Sequence, residues 1–248
     1  MTFDSGLGGL SVFRHLLAVV PEVNHLYVAD DVSFPVGDWE ADALIEHCIE
    51  TIGALIHQYN PRLAVIACNT ESTLILDALR EKFTIPFVGT VPAIKPAAEQ
   101  TQTGLVSILA TPGTVERDYT RTLMDAYASN CDVTLVGSGK LAMLAEDYLR
   151  TGTVDLDELF VEIEPCFVKK DGEQTDVVVL ACTHYPLLLP LFEKLAPWPV
   201  KLLDPAPAIA RRVLVLLDDK VSGQAKRDYI MTSGADFPVA QVEGFLNK

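Results

Sequence analysis

Apolar residues along this chain recur in two alternating patterns. Short aliphatic runs, such as LAVI at 63–66 and VVVL at 177–180, are typical of strands buried on both faces of a parallel sheet. Longer stretches, such as 42–59, carry apolar residues three or four positions apart, as amphipathic helices do. Strands that alternate with helices predict an α/β fold.

The two patterns predict the elements one by one. Strands are expected at 25–29, 63–66, 85–89, 104–109, 133–136, 177–180, 200–203 and 229–232, after a short first strand that ends at Asp4. Helices are expected from position 10, and over 42–59, 73–82, 115–129, 141–149, 186–195 and 208–217. Val91 and Pro92, with Pro96, are typical of a crossover between two halves.

The second half of the chain repeats the order of polar turns in the first. Asp4, in the Gly-rich turn FDSGLGGL, precedes Cys68 by 64 positions (68 − 4), and Thr111 precedes Cys182 by 71 (182 − 111). An internal duplication predicts two similar Rossmann-like or flavodoxin-like domains with mostly parallel sheets, related by a pseudo-twofold around a central cleft. We expect the first domain at 1–92 with 207–248, and the second at 93–206.

Cys68 and Cys182 are the candidate reactive groups. Each ends a strand and precedes a helix, where the helix dipole favours a thiolate. A lone cysteine in this position is more often a core residue, but two matched ones indicate function. A Cys-His protease would leave one thiol unused, whereas two thiols can remove a proton from one face of a carbon and add one to the other. Asp4 and His184 are candidates for tuning them.

Several other polar or reactive residues are interpreted as structural from the pattern alone. Glu146, on the predicted helix 141–149, is expected to face solvent, as is His47. Cys48 is expected to fill the core beneath the helix 42–59, and Cys131 and Cys166 lack the strand-end position of the candidate thiols.

Composition narrows the classes of function. The 248 residues are 49% hydrophobic with a net charge of −15, which opposes binding to nucleic acid. No apolar run reaches the roughly 18 residues of a membrane span, and the first residues lack the features of a signal peptide, so we expect a cytoplasmic protein. Five scattered cysteines argue against a disulfide framework and a zinc site, and no metal is expected.

Seven motifs together resemble the glutamate racemases, in their enterobacterial-type branch: FDSGLGGL (3–10), FPVG (34–37), ACNTEST (67–73), GTVPAIKPA (89–97), LATPGTVERDYT (109–120), LACTHYPLL (180–188) and DPAPAIARR (204–212). The resemblance implies a two-base racemase that needs no cofactor and interconverts L- and D-glutamate for peptidoglycan synthesis. It also implies two α/β domains around a cleft, a homodimer in many members, and activation by a peptidoglycan-precursor nucleotide sugar in some.

The resemblance also implies roles for individual residues. Cys68 would serve the D-enantiomer and Cys182 the L-enantiomer, assisted by Asp4, His184 and Glu146, so that Glu146 becomes functional. The substrate-binding positions would be Asp4, Ser5, Pro35, Val36, Gly37, Cys68, Asn69, Thr70, Thr111, Thr114, Cys182 and Thr183.

Two residues depart from the family pattern: Val36 stands where the family has Tyr, and Glu71 where it has Ala. At the start of the helix after Cys68, Glu71 is expected to compete with an anionic substrate for backbone N–H groups. Two alternatives therefore stay open: a sister racemase acting on aspartate or another acidic substrate, and a catalytically weak binding or regulatory relative. Retention of all five candidate catalytic residues argues against the second.

Overall fold

The computed structural model describes residues 1–36, 39–217 and 225–247. The chain forms two compact units: unit 1 comprises 1–90 with 206–248, and unit 2 comprises 91–205. The domain bounds expected from the sequence, 1–92 with 207–248 and 93–206, stay a prediction. None of the helices in the described ranges is both long and apolar enough to cross a membrane.

Unit 1 is built on a five-stranded sheet whose neighbouring strands are all parallel, in the order β11-β2-β1-β3-β4. The strands are β1 (Thr2–Asp4), β2 (His25–Ala29), β3 (Ala64–Ile66), β4 (Phe87–Gly89) and β11 (Arg227–Met231). The helices are α1 (Leu10–Val19), α2 (Ala41–Tyr59), α3 (Asn69–Lys82), α10 (Ala206–Leu217) and α11 (Val239–Leu246). The predicted last strand is thus confirmed as β11, which pairs with β2.

The sheet of unit 1 is covered on both faces, which explains the unbroken apolar run in β3. Ile66 packs in a core cluster with α2 and α3, whereas its neighbour Val65 packs in a second cluster with α1 and α10. Because successive side chains of a strand point to opposite faces, every position of β3 is buried.

Unit 2 contains a four-stranded sheet, also parallel throughout, in the order β10-β9-β5-β6. Its strands are β5 (Leu105–Ala110), β6 (Asp132–Gly137), β9 (Val177–Ala181) and β10 (Lys201–Leu203), beside a small antiparallel pair of β7 (Lys169–Lys170) and β8 (Glu173–Gln174). The helices are α4 (Ile94–Gln100), α5 (Pro112–Val115), α6 (Asp118–Tyr127), α7 (Leu141–Thr151), α8 (Leu156–Ile163) and α9 (Leu189–Leu195), with 3-10 helices at Glu164–Cys166 and Tyr185–Leu188.

The expected α/β class with parallel sheets is confirmed, but some element bounds were wrong. The predicted helix 115–129 is two helices, because Arg117 is extended and caps α6. Helix α3 begins four residues before the predicted start, directly after Cys68. Helix α8 was not predicted, although Asp155 carries a recognisable N-cap signal: its carboxylate accepts hydrogen bonds from the N–H groups of Asp157 and Glu158.

Candidate active site

The candidate residues of unit 1 lie where the chain switches direction across the sheet. From β1 the chain crosses to β2 on one side, and it later adds β3 on the other side of β1. In parallel sheets, ligands bind at the carboxyl ends of the strands at such a switch point. Asp4 ends β1, and Cys68 follows β3 by two residues, so both candidates lie at that edge.

Asp4 is fully buried, and the Gly-rich turn holds its carboxylate. The N–H of Gly6 donates a hydrogen bond to its Oδ2 at 3.0 Å. A Cβ on Gly9, the N-cap of α1, would come within 2.7 Å of the Asp4 Cβ and 2.9 Å of the Ala67 Cβ. Only glycine therefore lets α1 begin so close to both strand ends.

Cys68 is the N-cap residue of α3 and is 7% exposed. The hydroxyl of Ser5 donates to its Sγ at 3.7 Å. The 14-residue helix places the positive end of its dipole at this thiol. The position therefore favours a thiolate, as expected from the sequence.

The two residues after Cys68 are buried polar residues in the first turn of α3. Asn69 is 2% exposed, and within the described part of the chain neither its amide nitrogen nor its amide oxygen has a hydrogen-bond partner. The carbonyl of Thr70 accepts a hydrogen bond from the Thr73 hydroxyl at 2.9 Å. A buried amide without a protein partner is suited to bind a polar ligand.

The candidate residues of unit 2 repeat this arrangement. Here β6 and β9 lie on opposite sides of β5, and Ala110 at the end of β5 pairs in register with Ala181 at the end of β9. Thr111 and Cys182 follow these two alanines directly. The hydroxyls of Thr111 and Thr114 are 3.0 Å apart. The sheet register thus places the second predicted thiol beside the second predicted polar turn.

A chain of polar contacts extends from Cys182 to the surface of unit 2. The Cys182 Sγ lies 3.8 Å from His184 Nδ1, and His184 Nε2 lies 3.1 Å from Glu146 Oε1. Arg150, one turn further along α7, donates to Glu146 Oε2 at 3.4 Å. Thr183, between the thiol and the imidazole, is also buried.

The pattern-based interpretation of Glu146 as solvent-facing is wrong. The residue is 8% exposed, because α7 packs against the 3-10 helix that follows Cys182. The imidazole of His184 offsets the cost of burying a carboxylate there. Arg150 is an additional site residue that the sequence analysis missed, and its spacing of four from Glu146 was the available signal.

The FPVG turn is only partly described. Pro35, whose peptide bond with Phe34 is cis, is exposed, whereas Val36 is buried in the core cluster that also contains Cys68. Gly37 lies outside the described residues. The apolar Val36 therefore contributes packing near the thiol.

Glu71 belongs to a buried group in unit 1. One ligand atom from each of Asp30, Cys48 and Glu71 lies within 4.8 Å of the others, a spacing at which a metal ion can be bridged. Burial, with the charges of Glu71 and Asp30, strongly raises the pKa of the Cys48 thiol. His47 contacts Asp30 Oδ2 at 2.8 Å with a side chain only 23% exposed, so the expectation that it faces solvent was wrong.

Comparisons with known proteins identify relatives over nearly the whole chain. The family model "Asp/Glu/Hydantoin racemase" matches residues 21–213. A glutamate racemase of Brucella anthropi is 56% identical over 218 residues, covering 88% of this chain and 78% of that protein. A glutamate racemase of Mesorhizobium japonicum is 53% identical over 251 residues, covering 99% and 96%.

A solved structure is also similar over most of its length. The crystal structure of Escherichia coli glutamate racemase, in complex with L-glutamate and the activator UDP-MurNAc-ala, superposes with a TM-score of 0.88 at 39% identity. The match covers 99% of this chain and 94% of that one.

Proposed function

The chain belongs to the Asp/Glu/hydantoin racemase family, and we propose that it interconverts L- and D-glutamate with Cys68 and Cys182 as its two bases. It is an amino-acid racemase, an isomerase, and the resemblance found in the sequence is confirmed. The family resemblance assigns its product, D-glutamate, to peptidoglycan synthesis.

The observation that carries the proposal is the repeated placement of a thiol. In each unit a cysteine follows the strand next to the switch point, beside the polar turn that ends the neighbouring strand. Both thiols are 7% exposed, so each is shielded from bulk water yet not sealed in the core. Two equivalent thiols are what inversion of one carbon requires, because the proton leaves one face and another arrives on the opposite face.

In the direction from L to D, the thiolate of Cys182 removes the Cα proton. A bond forms between that proton and Sγ, and the electron pair of the broken C–H bond delocalises into the substrate carboxylate. The thiol of Cys68 then donates its proton to the other face of Cα and becomes the thiolate. The reverse reaction starts from this form of the enzyme, so the two thiols exchange roles and no cofactor enters the proposed step.

The neighbouring residues assist each thiol. In unit 2, His184 contacts Cys182 and is itself held by Glu146, an arrangement that can accept or return a proton at sulfur. In unit 1 we assign the corresponding role to Asp4, which ends the strand beside β3.

In the proposed reaction, groups at the carboxyl ends of the strands in each sheet bind the substrate. The N–H groups at the start of α3, with the side chains of Asn69 and Thr70, are suited to a carboxylate, because a helix N-terminus attracts anions. We assign further contacts to the remaining candidates of the sequence analysis, Ser5, Pro35, Val36, Gly37, Thr111, Thr114 and Thr183. This local attraction acts against the overall charge of −15.

The proposal includes a cytoplasmic location, a homodimer, and activation by a peptidoglycan-precursor nucleotide sugar. The activator is supported by the E. coli relative, whose structure holds UDP-MurNAc-ala together with L-glutamate. Light scattering of the purified protein tests the homodimer. Turnover with and without that nucleotide sugar tests the activation.

Circular dichroism tests the activity itself. The purified protein, without pyridoxal phosphate, is incubated with L-glutamate, D-glutamate or L-aspartate in separate reactions. We expect the signal of either glutamate enantiomer to decay to zero and that of aspartate to persist. In D₂O, deuterium should appear at Cα of the product, because the donating thiol exchanges its proton with solvent. Racemisation without solvent label would exclude the two-base mechanism.

A further inference from the structure

Tyr27 is a fully buried tyrosine to which the proposed mechanism gives no role. It lies in the middle of β2, where it pairs in register with Thr2 of the neighbouring strand β1. Its hydroxyl donates a hydrogen bond to the carbonyl of Gly6 at 2.9 Å. The bond joins β2 to the Gly-rich turn that follows Asp4.

Gly6 also holds the Asp4 carboxylate. Its N–H donates to Asp4 Oδ2 at 3.0 Å, while its carbonyl accepts the hydrogen bond of the Tyr27 hydroxyl. The tyrosine and the buried carboxylate are therefore linked through one glycine. A movement of Gly6 away from the tyrosine would also displace its N–H from the carboxylate.

The conformation of the Gly-rich turn depends on these two bonds. Gly6 lies in the bend between β1 and α1, and both of its backbone polar groups bond to side chains. Because glycine can adopt more backbone conformations than any other residue, such side-chain bonds decide which conformation the turn takes.

Aromatic side chains from two other elements fix the ring of Tyr27. Phe13 of α1 packs edge-on against it with ring centroids 5.3 Å apart, and Phe237, which precedes α11, does so at 5.9 Å. Tyr229 of β11 stacks on Phe237 at 4.9 Å. This aromatic cluster holds the ring, so the hydroxyl stays directed at the Gly6 carbonyl.

We propose that Tyr27 is a positioning residue for Asp4: its hydrogen bond to Gly6 fixes the turn in the conformation that directs the Gly6 N–H to the Asp4 carboxylate. The inference rests on the proposed function, in which Asp4 assists Cys68. No proton leaves the tyrosine, and its hydroxyl acts on the reaction only through Gly6 and Asp4. Misplacing a catalytic group by about 1 Å can cost about a hundredfold in rate, so this hold should affect turnover.

Hydrogen exchange of the Gly6 amide, followed by NMR, tests the hold on the turn without turnover. The Tyr27→Phe variant keeps the ring and removes the hydroxyl. We expect its Gly6 amide to exchange about tenfold faster, because the turn opens more often once one hydrogen bond is lost. Tyr229→Phe is the matched control: it removes from the same aromatic cluster a hydroxyl that donates to Glu243, and it should leave the exchange of Gly6 unchanged.

A double-mutant cycle tests the link to Asp4. Tyr27→Phe should lower kcat/KM for glutamate about tenfold in the unaltered enzyme, but by less than about twofold in Asp4→Asn, where the acid–base group to be positioned is gone. Because Asp4 is assigned to Cys68, which acts on the D-enantiomer, Tyr27→Phe should also raise the isotope effect of Cα-deuterated D-glutamate and lower that of L-glutamate. A merely structural loss would lower kcat/KM equally in both backgrounds.

Two unnatural residues at position 27 separate hydrogen-bond donation from shape. 4-Aminophenylalanine keeps a donor at the same place and should restore most of kcat/KM. 4-Fluorophenylalanine carries a polar atom that donates no hydrogen bond, so it should behave like phenylalanine. The same pair provides the comparison if Tyr27→Phe does not fold.

An unchanged exchange rate of the Gly6 amide in Tyr27→Phe, or equal losses of kcat/KM in the two backgrounds, would overturn the inference. Faster exchange of Gly6 in a protein that racemises no glutamate would support the hold on the turn and refute the proposed function instead.

Discussion

The two thiols sit at equivalent places in two similar sheets, yet different groups surround them. Cys68 is the N-cap residue of a 14-residue α-helix, with the Ser5 hydroxyl 3.7 Å from its sulfur. Cys182 is followed by a turn and a four-residue 3-10 helix, with an imidazole 3.8 Å from its sulfur. A helix dipole thus acts on one thiol, and a side chain contacts the other.

This difference has a physical basis in helix length. A dipole of useful strength requires several aligned peptide units, which α3 provides and a single 3-10 turn does not. Where the helix dipole is weak, ionisable or hydrogen-bonding side chains must stabilise the thiolate instead. The unit 2 thiol should therefore be far more sensitive to substitution of its neighbours than the unit 1 thiol.

Removing either thiol should have the largest effect. Cys68→Ser and Cys182→Ser each replace a thiol by a much weaker acid, so racemisation should fall by about three powers of ten or more while the fold is retained. Cys131→Ser, at a partly exposed position, is the matched control and should keep its activity. Turnover is measured by circular dichroism. Near-normal rates in Cys182→Ser would refute the pairing of the two cysteines.

Substitution of the assisting residues should show which thiol each one serves. His184→Asn and Asp4→Asn should both lower kcat/KM, by about 10²–10⁴-fold for loss of an acid–base group. The loss must be equal for both enantiomers, because the equilibrium constant of racemisation is one. The rate ratios alone therefore cannot distinguish the two variants.

Isotope effects with Cα-deuterated substrates make that distinction. If His184 serves Cys182, proton removal from L-glutamate becomes slower in His184→Asn, so the isotope effect should rise for L-glutamate and fall for D-glutamate. Asp4→Asn should show the opposite asymmetry. The same asymmetry in both variants would mean that the two residues do not serve separate thiols.

Much of this arrangement was predictable from the sequence. The strand ends at Cys68 and Cys182 follow from aliphatic runs that stop at small polar residues, and sheet register then brings Thr111 beside Cys182. The buried carboxylates were not predictable, because local periodicity treats a polar residue as exposed. Glu146 is buried by its contact with an imidazole 38 positions away, and Glu71 by groups on other elements.

The buried thiol of Cys166 has no proposed role in catalysis, but its burial should affect how the stability of the protein depends on pH. Burial raises the pKa of Cys166 to about 12, so the folded protein keeps this thiol neutral well above the usual value of 9.0. The stability that the buried, neutral Cys166 thiol contributes is fully present below about pH 9. It is lost as the pH rises toward 12, at about 1.4 kcal/mol per pH unit, because in this range only the thiol of the unfolded chain ionises.

Urea unfolding at several pH values tests this contribution. Between about pH 9 and pH 11, the free energy of unfolding should fall less steeply in Cys166→Ala than in the unaltered protein. Cys131→Ala, at a more exposed thiol, should change the slope less. Equal slopes in all three proteins would contradict the effect of burial.

Glu71 should have the smallest effect on catalysis. Its position at the start of α3 suggested competition with the substrate for N–H groups, but its carboxylate lies in the buried group with Asp30 and Cys48. The Glu71→Gln variant keeps the volume of this fully buried side chain and removes its charge. It should leave KM for glutamate nearly unchanged, because the carboxylate lies in the buried group with Asp30 and Cys48. Circular dichroism kinetics in both directions measure this. A several-fold fall in KM would show that Glu71 acts on the substrate, and that the helix dipole at Cys68 is partly cancelled by a charge of its own first turn.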